Sequence, residues 1–473
     1  MLTAVGDNDA LRNLIPQSEQ LATTPSERAQ HEILSANTRY WRWADHDAID
    51  ELADAARAWD DPGSKVVLQA AAASQLVTTG RINDAVGLAE GLHDVPPGIP
   101  AVHVTLALGH GWRAQGEPTR AEALVTESLD FFRSISDDAF IVTDVAMAGL
   151  LIQTLFEAGR FVELDRLIAE RSESWNDLGK TPTSALVLLA QASSWFVRGE
   201  YDRAIRFATA GRDRFDEIRQ TGMARWCRIM LALAHAEPGR LDQAELILRE
   251  IDAGGDHPAQ IFESSLARAR AWIDHHRGDD AAATDLLLDT AETALALGNI
   301  AGFVNCLHDL ARHGSAADAA ERLDDIDAAQ LEGDLYAARC AHIRALAGGD
   351  VRALGECMAA FDRLGLRHLA AEIALVAAAS PSVTSNEAKR WLRNASERSG
   401  AREIDFSRFR AHQSLTSRER EVTALAVEGL TSREIADRLG VSRRTIESHL
   451  GSAYSKLQVD GRTGLIEHLA RPW

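Results

Sequence analysis

Cysteine is scarce in this sequence: four in 473 residues, Cys227, Cys306, Cys340 and Cys357, with no CxxC pair among them. A disulfide framework is excluded, and buried thiols in a reducing compartment are expected. Long apolar runs are lacking too. The most apolar stretch, AFIVTDVAMAGLLIQTLF at 139–156, is interrupted by Asp144 and Gln153, so it reads as a buried helix and not as a membrane span. The opening MLTAVGDNDALRN has no basic region followed by an apolar core; no signal peptide is expected, and the expected location is cytoplasmic. Strand signals are nearly absent. A phosphate loop is absent as well. Gly179-Lys180-Thr181 is the sole Gly-Lys-Ser/Thr triplet, and Ser174 stands where the glycine is needed five positions earlier, so the backbone cradle for a nucleotide is missing.

Charge of one sign is short over most of the chain. The net charge is −20, which excludes a protein that coats nucleic acid over its whole surface. The deficit is uneven. Residues 401–473 hold 12 Lys+Arg against 10 Asp+Glu, leaving 38 against 60 in the first 400. An acidic body with a mildly basic tail suits a tail that alone meets a polyanion. At 46% hydrophobic and 25% charged the chain is ordinary for a globular protein.

What is present is a repeat. An apolar helix, a glycine with a polar neighbour and a second helix recur as GRINDAVGLAEGL, GEPTRAEALVTESL, GRFVELDRLIAE, GEYDRAIRFATAG, GRLDQAELILREI, GDDAAATDLLLDT, HGSAADAAERL and GDVRALGECMAAF. The glycines fall at 80, 116, 159, 199, 239, 278, 314 and 349, spaced by 36, 43, 40, 40, 39, 36 and 35 residues. Such a period signals a solenoid, and the glycine supplies the left-handed residue that ends the first helix of each pair. In the unit opened by Gly199, the residues Tyr201, Ala204, Ile205, Ala208 and Phe215 share one helix face. The pattern resembles the tetratricopeptide repeat, with slightly long units and a degenerate consensus. Nearest-neighbour stacking over 35–398 and a concave face for a ligand are expected. Residues 1–34 read as an N-terminal helical segment, with Thr24, Pro25 and Glu27 marking a helix start. A last repeat helix near 385–398 precedes a polar linker at 399–411 and a domain at 412–473.

That tail writes TSRE twice, at 416–419 and 431–434, and then VSRRT. Thr416 with Glu419 and Thr431 with Glu434 fit capping boxes, the acid suiting the positive end of the helix dipole. The third start has a cap, Ser442, but Arg443 and Arg444 follow it. Cations there oppose the dipole by roughly 0.3–1 kcal/mol each, a cost that an outside anion would remove. Helices are expected at 417–429, 432–439, 443–457 and 462–470, the second and third joined by Gly440-Val441-Ser442 as in a helix-turn-helix. Val422, Leu425, Ala426, Ile435, Ala436, Leu439, Val441, Ile446, Leu450, Ala453, Leu457 and Val459 would form the core. The opposite face of the third helix shows Arg443, Arg444, Glu447, Ser448 and Gly451. Its opening turn suits phosphate; Glu447 and Ser448 suit base edges, Glu447 accepting from cytosine N4. Lys456 and Arg462 are expected as flanking phosphate contacts.

On these residues the tail resembles the LuxR-type DNA-binding domain of bacterial transcription regulators. The matching positions are Leu415, Thr416, Arg418, Glu419, Glu421 and Val422, then Gly429, Glu434-Ile435-Ala436, Ser442, Thr445, His449, Lys456-Leu457 and Arg462. Glu447 departs from the lysine common there, and Gly451 replaces a longer polar residue. The resemblance implies a third helix in the major groove of double-stranded DNA and a fourth helix at the dimer contact. It also implies RNA polymerase as a partner, and a DNA-binding set of Thr431, Ser432, Arg433, Ser442, Arg443, Arg444, Thr445, Glu447, Ser448, His449, Lys456 and Arg462. Behind helical repeats, such a tail is similar to the large MalT-like regulators, without the ATPase that precedes their repeats. Cys306, His308 and His313, or Cys340 and His342, lie near one another but read as core or surface rather than as metal ligands. Asp137-Asp138 and the acidic run 45–61 read as solvated faces and not as catalytic carboxylates. Most tryptophans read as core, with one or two on a ligand-facing surface.

The expectation is therefore an all-α chain: a tetratricopeptide-like solenoid followed by a four-helix LuxR-type helix-turn-helix domain. Its function is expected to be sequence-specific transcription regulation by a homodimer on DNA, under control of a small-molecule or protein effector on the repeats. No catalysis, cofactor, metal or membrane partner is expected. The alternative is a helical-repeat interaction adapter with a weak or vestigial DNA-binding tail.

Overall fold

The computed structural model describes the chain apart from residues 1–7, 135–139, 178–181, 258, 400–416, 428, 458 and 471–473. Gly179-Lys180-Thr181, Asp137-Asp138, the linker at 400–411 and Thr416 lie outside the described residues. Among the described residues there are twenty-five α-helices, two single-turn 3-10 helices and no strand. The fold is all-α and repetitive. Contacts divide it into two compact units, Met1–Leu310 with Arg322–Cys340, and Ala311–Glu321 with Ala341–Trp473.

In the first unit the helices alternate as hairpins. The turn glycines end helices as expected: Gly80, Gly116, Gly159, Gly199, Gly239 and Gly278 all have φ between 72° and 85°. At Gly199 the amide of Gly199 donates to Phe196 O at 2.8 Å and that of Glu200 to Trp195 O at 2.9 Å. This double closure satisfies two carbonyls that the helix end leaves over. The helix Tyr201–Glu217 then buries Tyr201, Ala204, Ala208 and Phe215, with Ile205 half-buried, as its spacing requires. The apolar stretch forms the helix Phe140–Glu157, with Leu150, Ile152 and Leu155 buried. No helix among the described residues is long and apolar enough to cross a membrane.

The expected boundary at 34/35 falls inside the helix Pro25–Trp43. A capping box opens that helix: Glu27 N–H donates to Thr24 Oγ1 at 3.2 Å, and Thr24 N–H to Glu27 Oε2 at 2.9 Å. The helix packs on Ala48–Ala58 and Pro62–Thr78 as the first hairpin of the array. The acidic run beginning at Asp45 is such a face: Ile49, Leu52 and Ala56 point inward, while Arg39 bridges Asp45 and Glu51.

Nearest-neighbour stacking is not the whole account of this unit. The Ile82 amide donates to Leu297 O at 3.1 Å, that of Glu332 to Gly116 O at 2.9 Å, and that of Asp334 to Ala158 O at 3.2 Å. The Glu332 carboxylate takes the amides of Thr119 at 2.7 Å and Arg120 at 3.0 Å, 213 and 212 residues away in sequence. Those amides open the helix Pro118–Ser134, where unpaired N–H groups and the dipole favour an anion. Gly333 permits the approach: a Cβ there would stand 2.7 Å from Ala158 Cα. Early and late hairpins thus close on one another. In the second unit, Arg312 grips both oxygens of Glu372 at 2.9 Å, and Arg398 holds Asp362 on a neighbouring helix.

Candidate nucleic-acid interface

The tail helices are Ser417–Val427, Ser432–Leu439, Arg443–Leu457 and Gly461–Ala470. Their core holds the twelve expected apolar residues, Leu439, Val441 and Val459 only half-buried, and adds Leu465. Leu465 was missed because the fourth helix has almost no segregated apolar face to read. Gly440, at φ 64°, ends the second helix, and the Val441 amide donates to Ala436 O at 3.1 Å. That left-handed residue turns the chain into the third helix within three residues.

The second helix opens on its capping box. Glu434 N–H donates to Thr431 Oγ1 at 3.3 Å, and the Thr431 amide to Glu434 Oε2 at 2.7 Å. Hydrogen bonds from the Thr431 backbone, then from its hydroxyl, hold the Glu434 carboxyl below the usual glutamate range. Ser432 is half-buried and Arg433 exposed beside it.

The third helix opens differently. Ser442 Oγ accepts the Thr445 amide at 3.1 Å and lies 2.7 Å from Thr445 Oγ1. Ile446, Leu450, Ala453 and Leu457 are buried, so the opposite face is fixed outward. On it Arg443, Arg444, Glu447, Ser448 and Gly451 are exposed, with Thr445 and His449 half-buried at its edge. Arg443 Nε lies 2.7 Å from Glu447 Oε1, in a pair 70% and 49% exposed. Exposed pairs four residues apart contribute only a few tenths of a kcal/mol, so either side chain is free to turn to another partner. Arg444 has no ion-pair partner among the described residues.

Lys456 and Arg462, both half-buried, have partners within their own domain. Lys456 Nζ lies 2.6 Å from Glu419 Oε2, and Ser452 donates to Glu419 Oε1 at 2.5 Å. Glu419, 4% exposed, thereby ties the first helix to the third. Arg462 donates to the carbonyls of Ala426 and Leu430, closing the end of the first helix, while Arg418 reaches Leu439 O at 3.1 Å. These links were unread because Glu419 sits at a cap position, where an exposed role is the ordinary one.

A short helix, a left-handed glycine turn and an outward cationic helix opening define a helix-turn-helix domain. Residues 413–469 match the family described as bacterial regulatory proteins, luxR family. The chain is 41% identical over 63 residues to the spore germination protein GerE of Bacillus subtilis, covering 13% of this chain and 85% of that protein. It is 47% identical over 58 residues to a protein named as an HTH-type transcriptional regulator in Mycobacterium tuberculosis, covering 12% of this chain but only 7% of that protein. Among solved structures, a Rap protein complexed with competence and sporulation factor matches at TM-score 0.48 and 15% identity, over 71% of this chain and 95% of that one. The chain belongs to the luxR family through its C-terminal domain.

Proposed function

We propose that the chain is a sequence-specific DNA-binding transcription regulator, with the helix Arg443–Leu457 in the major groove and the repeats at about 35–398 as the controlling part. The carrying observation is the opening of that helix: Arg443 and Arg444 stand exposed on a face held outward by four buried apolar residues. Phosphates at this turn would meet both guanidinium groups and the first amides. Glu447 and Ser448 follow toward the base edges, and Thr431, Ser432 and Arg433 open the second helix for backbone contact. His449, at the edge of the same face, completes the reading surface. The placement of Lys456 and Arg462 supports a positioning part for them, through Glu419 and the Ala426 and Leu430 carbonyls.

The membership of the luxR family supports this reading. The same reading makes the chain a homodimer on DNA, with Ile466, apolar and exposed on the fourth helix, as a candidate contact; two half-sites would then lie about one helical turn apart. RNA polymerase is the downstream partner of such a regulator, and DNA association would place the protein on the nucleoid.

The test is genome-wide binding followed by gel shifts on the recovered fragments. Wild type is expected to bind selectively with a steep salt dependence, and Arg444→Ala with Thr445→Ala to abolish selective binding. Salt-sensitive, selective binding that survives the double substitution would remove the third helix from the interface. No selective binding by the intact chain would favour the adapter reading.

A further inference from the structure

The first unit holds a cavity of about 190 Å³. Six helices, Pro25–Trp43, Pro62–Thr78, Ile99–Ala114, Phe140–Glu157, Pro182–Val197 and Thr221–Ala236, place residues on its wall, and the turn Gln260–Phe262 adds two more. Trp41, Leu106, Leu150, Met223, Trp226 and Phe262 make the wall mainly apolar. Gly149 keeps part of the space open. It lies inside a helix, where glycine is the poorest residue after proline. It is buried, yet a Cβ there would meet nothing within 4 Å. No turn and no close approach requires this glycine, and the room it leaves belongs to the cavity.

The wall offers hydrogen bonds but no free charge. Arg113 is its one charged side chain among the described residues, and it is already paired with Glu157. Burial pushes His103 down to about 4; burial, and then Arg113, push His110 down to about 3. Both rings are therefore neutral near pH 7. Some polar groups of the wall serve one another: Ser74 Oγ lies 2.8 Å from His103 Nδ1, and Trp41 Nε1 donates to Gln75 Oε1 at 3.2 Å. Gln153 is different. It is 8% exposed, lines the cavity and makes no side-chain hydrogen bond among the described residues. Neither its amide oxygen nor its amide nitrogen is fully covered, so both meet the open space. A carboxamide so deep needs a donor and an acceptor opposite it. His110, half-buried on the same wall, has no hydrogen bond to its ring among the described residues either.

We propose that this cavity binds an uncharged aromatic compound of one or two rings that carries a hydroxyl or ring N–H, the rings lying among Trp41, Trp226 and Met223 and the polar group turned to Gln153 and His110. The size follows from the volume, since an apolar cavity of about 150 Å³ takes up benzene. Flat rings suit a wall of indoles and phenyl. A charged head would be buried without a counter-ion, which is costly. The ligand's role rests on the reading of the repeats as the controlling part; its binding does not.

The test uses the full chain at pH 7 with indole, 2-naphthol and 4-methylphenol, each beside a carboxylate on the same ring: indole-3-carboxylate, 2-naphthoate and 4-methylbenzoate. Binding is read by titration calorimetry and by thermal shift. At least one neutral ring is expected to saturate, with its carboxylate weaker by about tenfold or more. Gln153→Leu is expected to weaken that ring about fivefold with no loss of melting temperature, because the amide has no partner in the fold; a purely structural glutamine would lower it. Gly149→Leu, which fills the space, is expected to abolish binding while helical circular dichroism is kept. If Gly149→Leu does not fold, the wild-type comparison and Gln153→Leu decide. No saturable response to any neutral ring, carboxylates binding as well or better, or undiminished binding in folded Gly149→Leu overturns the proposal. Gel shifts with and without the saturating ring separate site from role. A ring that binds without altering DNA affinity supports the site and removes the controlling role of the repeats. Failure of every ring beside intact selective DNA binding removes the site and leaves the regulator.

Discussion

The repeat body and the tail use arginine in opposite ways. In the body, Arg268 and Arg113 are buried on Asp309 and Glu157, and Arg312 is held by Glu372. Each such pair fixes two helices together, because a guanidinium taken from water needs its partner. In the tail, Arg433, Arg443 and Arg444 stand in solvent at helix openings, where a partner from outside can be met without unmaking the fold. Yet the tail also contains the first kind: Lys456 on Glu419 and Arg462 on two carbonyls are part of its frame. A count of cations therefore says little about where a polyanion docks. What matters is whether a cation is already committed to its own chain, and an overall charge of −20 hides the distinction entirely.

The comparison breaks first where a committed charge loses its partner. Asp309→Ala leaves Arg268 and the Trp272 indole N–H without the carboxylate oxygen that both now contact, at 2.7 Å and 3.1 Å. A loss of about 3–5 kcal/mol is expected in urea denaturation, and a loss below about 1 kcal/mol would put Arg268 with the surface pairs. Lys456→Met leaves the buried Glu419 carboxylate without its ammonium. The lysine is 32% exposed, so a smaller loss, about 2–3 kcal/mol, is expected in the denaturation of the tail.

Arg444→Ala should do the reverse: stability within about 0.5 kcal/mol of wild type, and a slope of log affinity against log salt shallower by about 0.9. Filter binding at several salt concentrations reads the slope. A stability loss beyond 1 kcal/mol would show that Arg444 belongs with the committed cations.

The parts legible from sequence are those carried by local periodicity. The turn glycines, the helix spacing and the tail core follow from residues three or four apart, so Ile446, Leu450, Ala453 and Leu457 were readable as a buried stripe. The closure of the body was not. Nothing local marks Glu332 as the partner of the Thr119 and Arg120 amides, and a solenoid period describes only neighbours. The same holds for Glu419 with Lys456, 37 residues apart.

Capping boxes at Thr24 and Thr431 put the same device in both regions. Thr24→Ala and Thr431→Ala are each expected to destabilise by about 1 kcal/mol in thermal melts. Their pH dependence has a sign. Hydrogen bonds from Thr24 and Thr23 hold the Glu27 carboxyl down to about 2, and those from Thr431 lower that of Glu434. A carboxyl lowered on folding contributes stability above its unfolded pKa and loses it as pH falls through the folded one. Both boxes should therefore weaken on acidification below the ordinary glutamate range, and each Thr→Ala variant should flatten its own share of that dependence.

The smallest effect tests the exposed pair itself. Glu447→Gln removes the carboxylate that Arg443 Nε now meets at 2.7 Å, and a pair so open is expected to lose only about 0.3–0.5 kcal/mol in denaturation. On DNA the same change acts in the other direction. It frees Arg443 and takes a negative charge from a face turned to phosphates, so binding to unrelated sequences should tighten. Cytosine loses an acceptor for its N4 amine, so discrimination at one base position should relax. Gel shifts against a set of single-base variants of the recovered site read both effects. If selectivity stayed unchanged at every position, Glu447 would only hold Arg443, and sequence would be read by other residues of the helix.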